Sequence, residues 1–423
     1  MTATTGVGLI GLGTVGTAVA RRLVDEWDLL GERAGSIPVL RRVAVRDPTR
    51  ARARNLPGVT LDSDAEALID DPQVAVVVEV MGGVERASAL IEKALRAGKP
   101  VVTANKAAMA ANGLELTSLA AERRVALRYE AAVGAGLPLV AMLRDSLRGD
   151  RISSLEMIIN GTTNVILTRM EREGGTLAEA LLEAQQRGFA EADPSADVDG
   201  HDAAAKLLLL SRLAYDATLT ASDVDTVGIG AVEAADIACA AALGGSVKLL
   251  ARSDCAADRV CLRVAPCLVL AGHPLHGVDD AENALLATSD LAGAILVRGP
   301  GAGGDSTASA VVSDIVATVR HPDRAQRVAT RSLPTGIGAA PDGSWYIRLV
   351  LGPALEAAQL AVQALEDRGI PVRASTAAGG PRQVALVTGP VDAQILERAT
   401  QTLDSLTAVV AVAAVMRCVG PPE

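Results

Sequence analysis

The chain reads as an α/β protein in three parts, and three features carry that reading. Over residues 1–135 short apolar runs alternate with helical patterns, the order that builds a parallel sheet. A glycine-rich turn joins the first of those runs to the first helix. Residues 344–423 carry a strand–helix–strand–strand–helix–strand pattern of their own. Between them, residues 136–320 mix strands with helices, which suits an α+β domain on a mixed sheet, and residues 321–343 read as a linker.

Composition agrees with this plan. A chain of 423 residues exceeds one ordinary domain. With 49% hydrophobic and 21% charged residues it is globular. It has only one Phe, three Tyr and two Trp, so its cores must be packed from Ala, Val and Leu. A net charge of −10 without any basic block argues against nucleic-acid binding. No apolar run is long enough to span a bilayer, and Met1–Thr5 leads straight into a strand pattern without a charged leader. Cys239, Cys255, Cys261, Cys267 and Cys418 are odd in number and form no CxxC pair, as expected of reduced thiols in a cytoplasmic protein. The four scattered histidines do not resemble a metal cluster.

In the first part, the run Gly6–Ile10 is followed by Gly11-Leu-Gly13-Thr14-Val15-Gly16, which opens a helix carrying Val19, Ala20 and Leu23. This is G-x-G-x-x-G between a strand and a helix, the context in which it marks a dinucleotide site of Rossmann type. Gly11 permits the turn, Gly13 lets backbone approach a pyrophosphate, and Gly16 lets helix and strand pack closely. The second strand, Val39–Val45, ends at Arg46-Asp47. An acidic residue here suits the ribose hydroxyl of NAD and an arginine suits the 2′-phosphate of NADP, so both remain open, with Arg46 favouring NADP. Val74–Val80 is a third apolar strand, running into Gly82 and Gly83. Helix Arg86–Ala97 and strand Pro100–Thr103 follow, placing Thr103 and Lys106 at a carboxyl strand end, where ligands bind in such sheets. Val125–Glu130 is the last strand expected here.

In the middle part, strand Ile152–Ile159 ends at Asn160-Gly-Thr162-Thr-Asn164 before a helix Val165–Glu173. These small polar groups suit either a substrate site or a turn with an N-cap. The stretch Ala184–Lys206 then crowds Glu191, Asp193, Asp197, Asp199 and Asp202 into a loop punctuated by Gly188, Pro194 and Gly200. Asp202 and Lys206 are four apart at the start of an apolar helix, so they share a face. Fixed carboxylates delivering one lysine suit a small cationic substrate and a proton transfer; the alternative is a dipole-favoured helix start with a surface ion pair. Arg259–Ala265 and Ala294–Val297 read as strands. A second glycine run, Gly299–Gly304 with Gly303, opens a helix Ala308–Val319 and either closes over a cofactor or is a plain turn.

Together these residues resemble homoserine dehydrogenase. The likeness covers most of the chain: the glycine loop, Glu79-Val-Met-Gly-Gly83, Thr103-Ala-Asn-Lys106, the stretch Tyr129–Pro138 and Asn160–Asn164. Most specific is A-x3-G-aromatic-x3-D-P-x2-D-hydrophobic-x-G-x-D-x3-K, met from Ala184 to Lys206. The resemblance implies NAD(P)H-dependent reduction of L-aspartate 4-semialdehyde to L-homoserine, in threonine, methionine and isoleucine biosynthesis. It implies Lys206 as proton donor, Asp202 as its partner, and Lys106 positioning substrate and cofactor. Glu191, Asp197, Thr162 and Gly188 would surround the substrate, with Glu191 on its α-ammonium. A structural sodium ion would sit at Glu130, Val133, Ala135 and Leu137, chiefly on carbonyl oxygens. A homodimer through the middle domain, or a tetramer, is implied too. Phe189 stands where many relatives have tyrosine. A related amino-acid aldehyde oxidoreductase and a non-catalytic amino-acid sensor are the alternatives.

At the C-terminus, strand Trp345–Leu351, a helix faced by Leu355, Ala358, Ala361, Val362 and Leu365, strands Gly369–Arg373 and Val384–Thr388, a helix Ile395–Leu406 and strand Val409–Cys418 follow in turn. This βαββαβ order resembles an ACT domain, an amino-acid-binding module. Leu351-Gly-Pro-Ala-Leu355 and Thr388-Gly-Pro390 depart from that module's usual effector turns. Weak or absent threonine control is therefore expected.

Overall fold

A computed structural model describes residues 3–51, 56–257, 259–325, 328–333, 342–354 and 356–420. Leu355, and residues 326–327 and 334–341 of the segment read as a linker, lie outside these. The chain divides into two compact units.

The first unit comprises Met1–Asp150, Leu208–Ala221 and Gly299–Ser332. Its sheet contains β1 (Thr4–Ile10), β2 (Ile37–Ala44), β3 (Thr60–Asp62), β4 (Val76–Glu79), β5 (Val101–Thr103) and β6 (Leu127–Arg128). All neighbours are parallel, in the order β3-β2-β1-β4-β5-β6. This is the doubly wound order, whose ligand crevice lies beyond the carboxyl ends of β1 and β4. Strand β4 is buried along its whole length, as its uninterrupted valines require. Helix Glu85–Arg96 buries Ala87, Leu90, Ile91, Ala94 and Leu95, one stripe at helical spacing. Strand β6 pairs over only two residues, because the chain turns into a 3-10 turn at Glu130–Ala132 instead of continuing the strand to Glu130.

Helix Gly304–Arg320 also belongs to this unit. Its Ala308, Val311, Val312 and Ile315 share a core cluster with Val19, Ala20 and Leu23 of helix Thr14–Asp25. The helix thus completes the covering of the parallel sheet, although the sequence reading grouped it with residues 136–320.

The second unit is built on β7 (Ile152–Ile158), β8 (Val224–Thr226), β9 (Gly245–Ala256), β10 (Arg259–Leu270), β11 (Glu282–Ser289), β12 (Gly293–Pro300), β13 (Ser344–Leu351), β14 (Val372–Thr376), β15 (Gln383–Thr388) and β16 (Val409–Val419). These form one sheet in the order β12-β11-β7-β9-β10-β16-β13-β15-β14, with β8 beside β10. Most pairs are antiparallel; β10 meets β8 and β16 in parallel, making the sheet mixed. The C-terminal strands and helices Ala357–Glu366 and Ala393–Ser405 enclose their own core of Ile347, Leu349, Leu365, Leu386 and Leu403. Cys267–Val269 of β10 pair with Arg417–Val419 of β16, so the C-terminal strands extend the middle sheet.

Candidate functional site

In the first unit the glycine loop has the shape its motif requires. Gly11 lies at φ +103°, and a Cβ there would stand 2.8 Å from the Val80 carbonyl oxygen. A Cβ on Gly16 would collide with the Gly11 carbonyl oxygen, whereas one on Gly13 would meet nothing within 4 Å. The outer glycines are thus demanded by packing, and the middle one faces open space of the kind a pyrophosphate needs. Helix Thr14–Asp25 starts there with no side-chain cap, so Thr14, Val15 and Gly16 bring uncapped first-turn amides to the loop. Gly303, at φ +122°, opens helix Gly304–Arg320, and a Cβ on Gly304 would stand 2.7 Å from the Thr14 methyl. Two helix N-termini therefore lie side by side, and both favour an anionic ligand.

Around this loop the other expected groups divide. Arg46 is exposed just beyond β2. The neighbouring Asp47 carboxylate accepts from the Thr49 amide at 3.0 Å and hydroxyl at 2.5 Å. Gly82 is exposed past the end of β4. Lys106 is exposed at the first position of helix Lys106–Arg123, whose N-cap is Asn105. The Asn105 amide nitrogen donates to the Gly83 carbonyl at 2.7 Å, tying that helix start to the glycines after β4. The Thr103 hydroxyl is buried and donates to Glu79 at 2.6 Å, so this side chain braces β5 against β4.

The turn after β6 carries Glu130, Val133, Ala135 and Leu137. The Glu130 carboxylate accepts from the Val140 and Ala141 amides, each at 2.7 Å. Burial, then the nearby Asp314 carboxylate, pushes it up to about 7; burial likewise pushes Asp314 up to about 6. Ala135 sits at φ +52°, in the left-handed region that non-glycine residues seldom adopt. Within the turn the Glu130 and Leu137 carbonyls accept backbone amides, while those of Val133 and Ala135 accept none among the described residues.

In the second unit a buried polar cluster forms where β7 meets the start of helix His201–Tyr215. The Lys206 ammonium, 12% exposed at its side chain, lies 2.9 Å from Asp202 and donates to the Ile159 carbonyl at 2.8 Å. Those contacts use two of its three N–H donors. Asn160 is the joint of the cluster: its amide donates to Asp197 at 2.6 Å and to Asp202 at 2.9 Å. Its carbonyl oxygen accepts from the Thr163 amide at 2.8 Å and hydroxyl at 2.9 Å, capping helix Gly161–Glu173. The cap reading of the Asn160–Asn164 cluster thus holds for Asn160, which also joins the carboxylates of Asp197 and Asp202. The Thr162 hydroxyl donates to the Phe189 carbonyl at 2.9 Å, and Gly188 turns that loop at φ +78°. The Glu191 carboxylate is exposed and makes no hydrogen bond among the described residues, while its backbone carbonyl accepts from Gln185.

Lys206, Asp202 and Asp197 are therefore brought together, with Thr162 and Gly188 bounding the adjoining loop. Sequence reasoning placed Asn160 in a cluster that suited either a substrate site or an N-cap, but missed it as the connector of Asp197 and Asp202. It quoted Glu79 within Glu79-Val-Met-Gly-Gly83 without a role; in the structure the Glu79 carboxylate accepts the Thr103 hydroxyl. No group of three or more His, Cys, Asp or Glu side chains that could hold a metal ion occurs among the described residues.

Residues 138–316 match the family described as homoserine dehydrogenase, and residues 11–130 match the one described as homoserine dehydrogenase, NAD binding domain. The chain is 43% identical over 321 residues to a homoserine dehydrogenase of Corynebacterium glutamicum, covering 75% of this chain and 72% of the relative. It is 37% identical over 432 residues to one of Mycobacterium tuberculosis, with 98% of each covered. Among solved structures, a homoserine dehydrogenase from Thiobacillus denitrificans matches with a TM-score of 0.90 and 33% identity, over 100% of both chains. A hyperthermophilic archaeal homoserine dehydrogenase mutant in complex with NADPH matches with a TM-score of 0.62 and 27% identity, covering 76% of this chain and 99% of that one.

Proposed function

Because this chain belongs to the homoserine dehydrogenase family, we propose that it interconverts L-aspartate 4-semialdehyde and L-homoserine with Lys206 as the proton donor. The chain is an NAD(P)-dependent oxidoreductase. The observation that carries the residue assignment is the Lys206 ammonium, fixed by Asp202 and the Ile159 carbonyl with a third N–H uncommitted among the described residues. The nicotinamide, when bound, supplies the hydride. As the aldehyde is reduced, negative charge grows on its oxygen, and the remaining Lys206 N–H stabilises that oxygen and then protonates it. In the reverse direction Lys206 accepts the proton. Asp202 and Asn160 keep the ammonium in one place, while Glu191 and Asp197 offer carboxylates to the α-ammonium. Thr162 and Gly188 shape the loop beside it, and Lys106 positions substrate and cofactor.

Gly11, Gly13, Thr14, Val15, Gly16, Gly82 and Gly303 would cradle the dinucleotide, whereas Thr103, expected beside it, has no exposed surface and holds Glu79 instead. Asp47 is engaged with Thr49 whereas Arg46 is exposed, which favours NADP through its 2′-phosphate. The related archaeal enzyme was solved with NADPH. The carbonyls of Glu130, Val133, Ala135 and Leu137 would hold a structural sodium ion, testable as a rise in melting temperature with sodium over a larger cation. The βαββαβ order at the C-terminus supports an ACT-like module, and millimolar threonine should leave activity nearly unchanged. A homodimer, or a tetramer, would appear in sedimentation. The site of action is proposed to be the cytoplasm; no described helix is long and apolar enough to cross a membrane.

The deciding experiment follows NADPH and NADH oxidation with L-aspartate 4-semialdehyde in the parent and in Lys206→Ala. Loss of a general acid should lower kcat by roughly 10²–10⁴-fold. An equally active variant would move the proton donor elsewhere, and an inactive, folded, NADPH-binding parent would leave an amino-acid sensor.

A further inference from the structure

Away from the glycine loop, the first unit contains a cavity of 420 Å³ whose wall is dominated by arginine. Arg33, Arg128, Arg144, Arg320 and Arg324 line it, five guanidinium groups against the three carboxyls of Glu130, Asp145 and Asp314. No residue of the Gly11–Gly16 loop contributes to it.

The acidic groups are already engaged. Asp145 accepts two bonds from Arg144, at 3.1 and 2.8 Å, and lies 3.4 Å from Arg324. Asp314 accepts the Glu130 amide at 2.9 Å, and Glu130 accepts the two amides described above. Arg33, Arg128 and Arg320 are left without a hydrogen-bond or ion-pair partner among the described residues. For Arg128 this matters most: it is only 5% exposed, and its Nε is fully buried with no partner. Leaving a buried donor orphaned is costly, and more so when it is charged, so native proteins almost always satisfy it. Ser309 and Ser313, one turn apart on helix Gly304–Arg320, add exposed hydroxyls to the same wall.

We propose that this cavity binds a compact polyanion, a phosphorylated or polycarboxylate metabolite, gripped by Arg33, Arg128 and Arg320. A planar guanidinium fork matches phosphate and carboxylate oxygens two at a time. The volume exceeds what a bare inorganic ion fills and falls in the range of small-molecule sites, about 300–1,000 Å³. The site is distinct from the dinucleotide loop and adds a second anion-binding locus to the unit.

Sulfate and citrate, each titrated calorimetrically into the full chain at constant ionic strength with NADPH saturating, test this. At least one should bind with a Kd of about 1 mM or tighter. Tighter sulfate points to a phosphate ester and tighter citrate to a polycarboxylate. Binding should weaken at least ~10-fold in Arg33→Ala and in Arg320→Ala, two exposed positions whose loss leaves the fold intact. Arg128→Met should abolish it, with a circular-dichroism melt reporting whether that variant folds. Absence of saturable heat from both anions, or unchanged affinity in the Arg33 and Arg320 variants, would overturn the assignment.

Discussion

Asn160 shows how much one side chain can hold. Its four hydrogen bonds join the cap of one helix to two carboxylates, one of which pairs with Lys206. Asn160→Ala should cost about 0.5–2 kcal/mol through the cap alone, and should lower kcat more than it changes KM because Asp202 is freed. A thermal melt beside steady-state kinetics would check both parts; normal kcat would remove Asn160 from the site. Asp202 and Lys206 were legible because four-residue spacing on a helix is a local property. Asn160 was not, since its partners lie 37 and 42 residues away.

The cysteines make a second residue-scale case. Burial pushes Cys261 and Cys418 up to about 11 and Cys267 up to about 12, from an ordinary value near 9. A raised folded-state value means the native chain keeps protons that the unfolded chain releases. Their stabilisation is complete below about pH 9 and is lost as pH climbs through 11 to 12. At pH 8 these thiols are almost entirely protonated and inert. Iodoacetamide followed by mass spectrometry should modify Cys255 first, and fast native labelling of Cys267 would contradict its burial.

At the scale of elements, β9 and β11 were overlooked by sequence reasoning for a common cause. Strand β9 buries Lys248, Ser253 and Asp254, and β11 buries Asn283, so neither presents a clean apolar pattern. Tertiary partners make these polar residues tolerable: Lys248 meets Asp279 at 2.6 Å, and Arg252 forks onto Asp254. The apolar runs and amphipathic helices of the glycine-loop half needed no such partners and were readable. A similar buried network links helix Ala234–Ala242 to β13. The Asp236 carboxylate accepts from Arg348 at 2.7 and 3.1 Å and from the Tyr346 hydroxyl at 3.0 Å. Arg348→Met would strand Asp236 in the interior and should cost about 3–5 kcal/mol. Urea unfolding measures this; a loss under ~1 kcal/mol would show that Asp236 finds solvent.

For the whole molecule, the parallel sheet and the C-terminal alternation were legible, because each rests on a run of alternating strand and helix patterns; the strand order was not. The discontinuity of the first unit was not. The one local hint in residues 299–332 is the second glycine run, read as closing over a cofactor or as a plain turn; the return itself is made by the apolar stripe of Ala308, Val311 and Ile315 meeting helix Thr14–Asp25. That return has a consequence for synthesis. While the ribosome is still translating the middle of the chain, the glycine-loop unit lacks its last covering helix and leaves an apolar strip uncovered. The N-terminal portion therefore cannot mature first, as domains usually do during translation. It must wait for residues up to about 332 to emerge, which makes it a client for chaperones in the interval. A fragment of residues 1–150 should aggregate or melt without cooperativity, and a soluble peptide carrying residues 299–332 should rescue it. A fragment that folds and binds NADPH unaided would show that the late helix only decorates a finished unit.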